Sequence, residues 1–179
     1  YHEPIQEFEH NIVYDYVIRN GLVYDGKGGD PYEADIAISG NKISDIGQIK
    51  DVGKEEINAK DKIVTPGFVD IHTHFDGQIT WDPFLSPSHY HGVTTAVMGN
   101  CGVGFAPCKP ERHDWLIGLM EGVEDIPGTA LAEGIKWNWE TFPEFMDAVD
   151  QMDLSIDVGL QIPHGALRAY VMDERAAQL

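Results

Sequence analysis

The chain has 179 residues, of which 42% are hydrophobic, and its 12 basic and 30 acidic side chains give a formal net charge of −18. This charge argues against binding to nucleic acid or to an anionic membrane surface. No stretch approaches the roughly 18 apolar residues of a membrane helix, and two cysteines are too few for a disulfide framework. The first ten residues are polar and show no signal peptide, so we expect a cytoplasmic protein.

The first part of the chain, to about residue 65, shows the pattern of short β-strands. Runs of β-prone residues flank Asn20-Gly21, and the same pattern returns around Gly40-Asn41, so two hairpins are predicted. Short antiparallel strands with a turn about every ten residues are typical of a small β-sandwich. We therefore assign residues 1–65 to such a domain, as its N-terminal part.

Residues 66–179 alternate between strand and helix patterns. We predict buried strands at 68–73, 93–98 and 156–162, and amphipathic helices at 115–123 and 142–152. Thr141, followed three residues later by Glu144, predicts a capping box for the second helix. The segment 121–140 shows no helical period and predicts a long loop. Strands that alternate with helices indicate βαβ units and a parallel sheet.

Two histidines interrupt the first of these strands, where residues 68–76 read FVDIHTHFD. Side chains two apart on a strand share a face, so His72 and His74 project together. Imidazoles in an apolar strand need polar partners, and a divalent metal would provide one. The spacing alone leaves an ordinary strand pair equally open. We expect Asp76 to be a turn residue before Gly77, with a place beside a metal ligand as the alternative.

The stretch GNCGVGFAPC follows the second strand, and its glycines allow a tight turn. Cys101 then lies at the C-terminal end of that strand, where βα barrels carry their chemistry. A thiolate is a good zinc ligand, and the alternative is a small buried apolar residue. For Cys108 we expect only the apolar role, and we expect His113 to lie on the surface.

The stretch IVTPGFVDIHTH resembles the opening of the barrel in the amidohydrolase superfamily, and HGVTTAVMGNCGVGFAP and PHGALRAYVM resemble its D-aminoacylase branch. The resemblance implies a small β-sandwich that leads into a metal-dependent, TIM-like (β/α)8 barrel. It implies a zinc-dependent hydrolase with one or two divalent ions, which deacylates N-acyl-D-amino acids through metal-activated water. It also implies that His72, His74 and Cys101 are metal ligands.

His164 and Arg168 follow the third strand and are candidate substrate contacts. The alternative is a loop histidine followed by an arginine on a helix surface. The family's general acid and base come from later strands, so we expect them beyond Leu179. The catalytic residues therefore remain unknown in this sequence.

A complete barrel needs about 250 residues, so residues 66–179 account only for its first strands and helices. We expect an N-terminal fragment that is inactive alone and that needs the remainder of its own chain and a small-molecule N-acyl amino acid as substrate. Two alternatives stay open. One is an amidohydrolase that acts on a cyclic amide or dipeptide, and the other is a non-catalytic truncated module.

Overall fold

A computed structural model describes residues 12–177, which divide into two compact units between Pro66 and Gly67. The unit before this point is a β-sheet, and the unit after it combines a parallel sheet with helices. Within the described range, no helix has the length and apolar character needed to cross a membrane.

The first unit is a five-stranded mixed sheet in the described residues. Its strands are β1 (Val13–Val23), β2 (Tyr32–Ser39), β3 (Lys42–Gly47), β4 (Val52–Asn58) and β5 (Ile63–Val64). The order is β3-β2-β1-β4, with β5 also paired to β1. β1 runs antiparallel to β2 and parallel to β4 and β5. Residues 12–66 form this one sheet, so the second sheet of a sandwich stays a prediction.

One of the two predicted hairpins is present. β2 and β3 pair as an antiparallel hairpin through Gly40 and Asn41, as predicted. The prediction of a hairpin at Asn20-Gly21 is wrong, because β1 continues through both residues with a register shift between Ile18 and Gly21. Asn20 has a φ of 59°. Since Asn and Gly tolerate positive φ, the dipeptide suits an irregular point within a strand as well as a turn.

Arg19 connects separate strands of this sheet. Its Nε and Nη2 donate to the two carboxylate oxygens of Glu56 at 3.2 and 2.6 Å, and its Nη1 donates to Asp35 at 3.2 Å. Nη1 also donates to the carbonyl of Ile49. Burial raises the pKa of Asp35, but hydrogen bonds from the Asn20 N–H and from Arg19 outweigh it and hold this pKa below its usual value.

The second unit contains a three-stranded parallel sheet. Its strands are β6 (Phe68–Asp70), β7 (Val93–Met98) and β8 (Asp157–Leu160), in the order β6-β7-β8. Helices α1 (His113–Glu124), α2 (Gly128–Gly134) and α3 (Phe142–Asp150) connect β7 to β8, and α4 (His164–Met172) follows β8. All neighbouring strands are parallel, as the alternating pattern predicted.

Both predicted amphipathic helices are confirmed as α1 and α3. Leu116 of α1 and Phe145 of α3 are buried in the main apolar core. At the start of α3, Thr141 Oγ1 accepts the Glu144 N–H at 3.4 Å, and the Glu144 carboxylate accepts the Thr141 N–H at 2.8 Å. The predicted capping box is therefore present.

The predicted loop over residues 121–140 is wrong in part. It contains the end of α1 and all of α2, and Leu131 of α2 is fully buried. Trp139 is also buried, and its Nε1–H donates to the carbonyl of Phe105 at 2.9 Å. The helix is only seven residues long and begins and ends with glycine, so its period is too short to read from the sequence.

His113 is half-buried rather than on the surface as expected. Its ring stacks on Trp137 with centroids 3.8 Å apart and an interplanar angle of 8°. Within the described residues, its Nε2 is buried and has no hydrogen-bond partner. Burial lowers the pKa of His113, although Asp114 and Glu111 act in the opposite direction.

Candidate metal centre

The two histidines lie just past the end of β6. This strand ends at Asp70 and its Phe68 and Val69 are exposed, so the prediction of a buried strand through residue 73 is wrong. His72 and His74 belong to the irregular segment that follows. This segment stays attached to β7, because the Thr73 N–H donates to the carbonyl of Val97 at 2.9 Å. The two imidazole rings are nevertheless stacked, with centroids 5.6 Å apart and an interplanar angle of 23°.

Cys101 lies in the turn directly after β7. Its φ of 56° is unusual for a residue with a side chain, and such conformations persist only where the surroundings hold them. The turn places the Cys101 sulfur 3.1 Å from Nε2 of His72. Cys101 and His72 are exposed, and His74 is half-buried, so the site is open to solvent. Cys108 is buried, as expected.

The ligand atoms of His72, His74 and Cys101 all lie within 4.8 Å of one another. Two imidazoles and a thiolate are a donor set that suits zinc. A nitrogen and a sulfur bound to one zinc ion at usual lengths lie about 3.6 Å apart. The separation of 3.1 Å between His72 and Cys101 therefore fits a shared ion after a small adjustment.

Gly99 allows the Cys101 turn to lie against the end of β8. Its φ is 86°, and a Cβ at this position would be 2.1 Å from the backbone carbonyl oxygen of Gln161. No side chain fits at that distance. Gly99, the first glycine of GNCG, is therefore required both for its backbone conformation and for close packing.

Asp76 lies in a turn before Gly77, as expected, and it is also a buried carboxylate beside the site. It is 3% exposed, and its Oδ2 accepts the Gly99 N–H at 3.1 Å. The contact joins the segment after β6 to the segment after β7. The alternation His72, His74, Asp76 is the sequence signal that favoured this position.

Sequence reasoning missed Asn100, whose amide group joins all three strand ends. Its Nδ2 donates to the carbonyl of Val97 at 2.9 Å and to that of Thr73 at 3.3 Å. Its Oδ1 accepts from Nε2 of Gln161 at 3.1 Å. Nothing in the sequence marked it beyond its place next to Cys101.

His164 and Arg168 are both on α4. His164 is the first residue of the helix and is exposed, and its backbone N lies 3.8 Å from the position a Cβ would take on Gly102. It is at the same end of the sheet as Cys101, but it is not part of the cluster formed by the three ligand atoms. Arg168 is half-buried, and its Nε and Nη2 have no hydrogen-bond partner within residues 12–177.

Several known proteins are similar to this chain in sequence and in structure. D-aminoacylase of Alcaligenes xylosoxydans xylosoxydans is 29% identical over 162 residues, which cover 90% of this chain and 31% of that protein. A crystal structure of D-aminoacylase, described as defining a novel subset of amidohydrolases, superposes with a TM-score of 0.73 at 28% identity. It covers 90% of this chain and 32% of that one.

N-acyl-D-glutamate deacylase of Bordetella bronchiseptica, solved with zinc and a phosphonate mimic of the tetrahedral intermediate, superposes with a TM-score of 0.71 at 30% identity. It covers 90% of this chain and 32% of its own. The chain spans 28% to 31% of the length of the first curated relatives that it matches. The model of the amidohydrolase family, Amidohydro_3, matches residues 55–179. The chain therefore belongs to the amidohydrolase family.

Proposed function

We propose that this chain is the N-terminal part of a zinc-dependent amide hydrolase that converts N-acyl-D-amino acids to a D-amino acid and a carboxylate. The observation that carries the proposal is the cluster of His72, His74 and Cys101, with ligand atoms within 4.8 Å of one another. The similarity to D-aminoacylase and to N-acyl-D-glutamate deacylase supports the substrate class.

In this proposal the three side chains would hold one or two divalent ions. His72 and His74 would bind as neutral imidazoles, and Cys101 would bind as a thiolate. When bound, zinc supplies a Lewis acid that polarises an amide carbonyl and increases the acidity of water. The exposure of His72 and Cys101 leaves the centre accessible to a substrate.

The proton delivered to the leaving amine needs a separate acid and base. Asp76 is a poor candidate, because it is buried and its carboxylate accepts the Gly99 N–H. We propose that the acid and base come from parts of the protein outside this chain. His164 and Arg168, one helical turn apart on α4, are proposed substrate contacts at the same end of the sheet.

We further propose that β6, β7 and β8 are the first three strands of a TIM-like (β/α)8 barrel, over residues 66–179. Residues 1–65 would be part of a β-sandwich. Parallel strands adjacent in chain order, with ligand residues after their C-terminal ends, support this reading. The protein would act in the cytoplasm on a small molecule, without nucleic acid or membrane as partner.

The test uses the complete protein, loaded with zinc and assayed on N-acetyl-D-amino acids and their L isomers. We expect hydrolysis of the D isomers, loss of activity with a chelator, and recovery with zinc. His72→Ala and Cys101→Ser should lower the bound zinc and the rate. The matched control is His91→Ala, because this histidine is exposed and lies outside the cluster.

The alternatives give different results. Undiminished zinc affinity in Cys101→Ser, together with hydrolysis of a cyclic amide or a dipeptide instead of N-acetyl-D-amino acids, would favour an amidohydrolase that acts on another amide. A metal-loaded complete protein that hydrolyses none of these amides would favour a non-catalytic module.

A further inference from the structure

The side-chain amide of Asn100 is the point at which three strand ends meet. On one side it donates to two backbone carbonyls, at 2.9 Å to that of Val97 near the end of β7 and at 3.3 Å to that of Thr73 after β6. On the other side it accepts from Gln161 after β8 at 3.1 Å. The described residues show no other role for this side chain.

The partners of Asn100 are adjacent to the proposed ligands. Thr73 is the residue between His72 and His74, so a bond to its carbonyl fixes the peptide that links the two histidines. Asn100 itself directly precedes Cys101. One amide group thus acts on the segments that carry all three ligand atoms.

The Cys101 turn needs such support. Cys101 has a φ of 56°, which costs free energy for a residue with a Cβ. The turn is held from one side by Asp76, which accepts the Gly99 N–H, and from the other by the Asn100 amide. Without these contacts, the thiol would lose its fixed distance from the imidazole of His72.

We propose that Asn100 is a positioning residue that keeps the histidine segment and the Cys101 turn in the geometry required for zinc. The inference rests on the proposed function, since it concerns the same centre. An amide is needed because the position requires two donated hydrogen bonds and one accepted bond. Aspartate has nearly the same shape but cannot donate, so Asn100→Asp removes the bonds to Val97 and Thr73.

Because Asn100→Asp also introduces a negative charge, the sign of the change in zinc affinity distinguishes two explanations. A new carboxylate beside a cation site should strengthen zinc binding if electrostatics alone acted. Loss of positioning should weaken it, by 10- to 100-fold if Asn100 behaves like other residues that orient metal ligands, an order-of-magnitude expectation. The two explanations therefore predict opposite signs.

The experiment measures zinc affinity of the complete protein by competition with a chromophoric chelator. It also records the cobalt-substituted absorption spectrum, including the thiolate-to-cobalt band, and the alkylation rate of Cys101 in the metal-free protein. The variants are Asn100→Asp and Gln161→Met, and the latter removes only the contact from β8. Asn41→Asp is the matched control, because it adds the same charge in the exposed turn between β2 and β3.

We expect weaker zinc binding and an altered cobalt spectrum in Asn100→Asp, a smaller change in Gln161→Met, and no change in Asn41→Asp. If Asn100→Asp lowers only the melting temperature, with zinc affinity and cobalt spectrum as in the wild type, the role is purely structural and the inference is wrong. If Asn100→Asp does not fold, an unchanged affinity and spectrum in Gln161→Met together with Asn100→Ser overturns it. If the wild type binds no zinc and His72→Ala changes nothing, the proposed function fails, and this inference fails with it.

Discussion

Nε2 of His72 and the sulfur of Cys101 lie 3.1 Å apart, although 29 positions separate them in the chain. The contact joins segments that follow two neighbouring parallel strands, so it depends on the sheet rather than on local sequence. A metal ion bound by both atoms would replace this contact. Zinc and a thiol reagent should therefore compete for Cys101.

The two cysteines should differ sharply in reactivity. Cys101 is exposed, whereas Cys108 is 4% exposed, and burial raises the pKa of its thiol to about 11. At pH 8 such a thiol is about one part in a thousand thiolate, which is the reactive form. We expect iodoacetamide to alkylate Cys101 and to spare Cys108 in the native protein, as measured by peptide mass spectrometry. Zinc should slow the reaction at Cys101, and an unchanged rate would argue against this residue as a ligand.

Gly99→Ala should destabilise the fold far more than a glycine substitution that is unfavourable only for the backbone conformation. Both Gly99 and Gly28 have positive φ, at 86° and 81°, but only Gly99 has neighbours that a Cβ would strike. We expect Gly28→Ala to cost about 1–2 kcal/mol, the usual penalty for a side chain in this conformation. Gly99→Ala should cost at least about 2 kcal/mol more and should also weaken zinc binding. Denaturant unfolding and chelator competition measure the two effects, and equal costs for the two variants would contradict the close packing.

The Arg19 network should make the first unit sensitive to acid. Arg19→Met removes hydrogen bonds to Asp35 and to the carbonyl of Ile49, and we expect a loss of about 1–2 kcal/mol in the free energy of unfolding near neutral pH. The exposed Lys27→Met, which removes a 3.9 Å pair with Asp25, is the control and should change little.

The pH dependence follows from Asp35, whose pKa in the folded chain lies below its usual value of 3.8. A carboxylate of this kind stabilises the fold above its unfolded pKa, and the contribution is lost as the pH falls through its folded pKa. The difference in free energy of unfolding between wild type and Arg19→Met should therefore have its full value near pH 7 and should decrease below about pH 4. A difference that stays constant down to pH 2 would show that the carboxylate is not involved.

His113 should contribute a second pH dependence, in a different range. Burial lowers its pKa below the usual 6.5, so the unfolded chain binds a proton more readily than the folded one as the pH falls below 6.5. Stability should therefore decrease from pH 7 to pH 5. His113→Phe keeps an aromatic ring against Trp137 and should flatten this decrease, measured by denaturant unfolding of the metal-free protein. His91→Phe, at an exposed position, should retain the slope of the wild type.

The sequence allowed the three parallel strands and the helices α1 and α3 to be predicted, because both helices have periodic patterns and α3 has a capping box. It also placed Cys101 at a strand end. It did not reveal α2 or α4. It did not show that β6 ends at Asp70, because an apolar run does not reveal where pairing with a neighbour stops. Asn20-Gly21 was misassigned, because the same backbone preference serves a turn and an irregular strand.

The polar contacts around the cluster depend on the folded sheet. Asp76, Asn100 and Gln161 come from three separate segments, and their hydrogen bonds form only when the ends of β6, β7 and β8 lie side by side. A single sequence contains no local signal for such pairs. The histidines and the cysteine were identifiable because their side-chain chemistry is unusual in an apolar context.

The apolar core and the proposed metal centre consist of different residues. Leu116 and Phe145 fill the interior from helices, whereas His72 and Cys101 follow their strands and face solvent. Substitution at the ligand positions would therefore leave most of the buried interior intact. This separation suits directed evolution, because a library restricted to residues 72, 74 and 101 could exchange one metal preference for another without changing the packed helices.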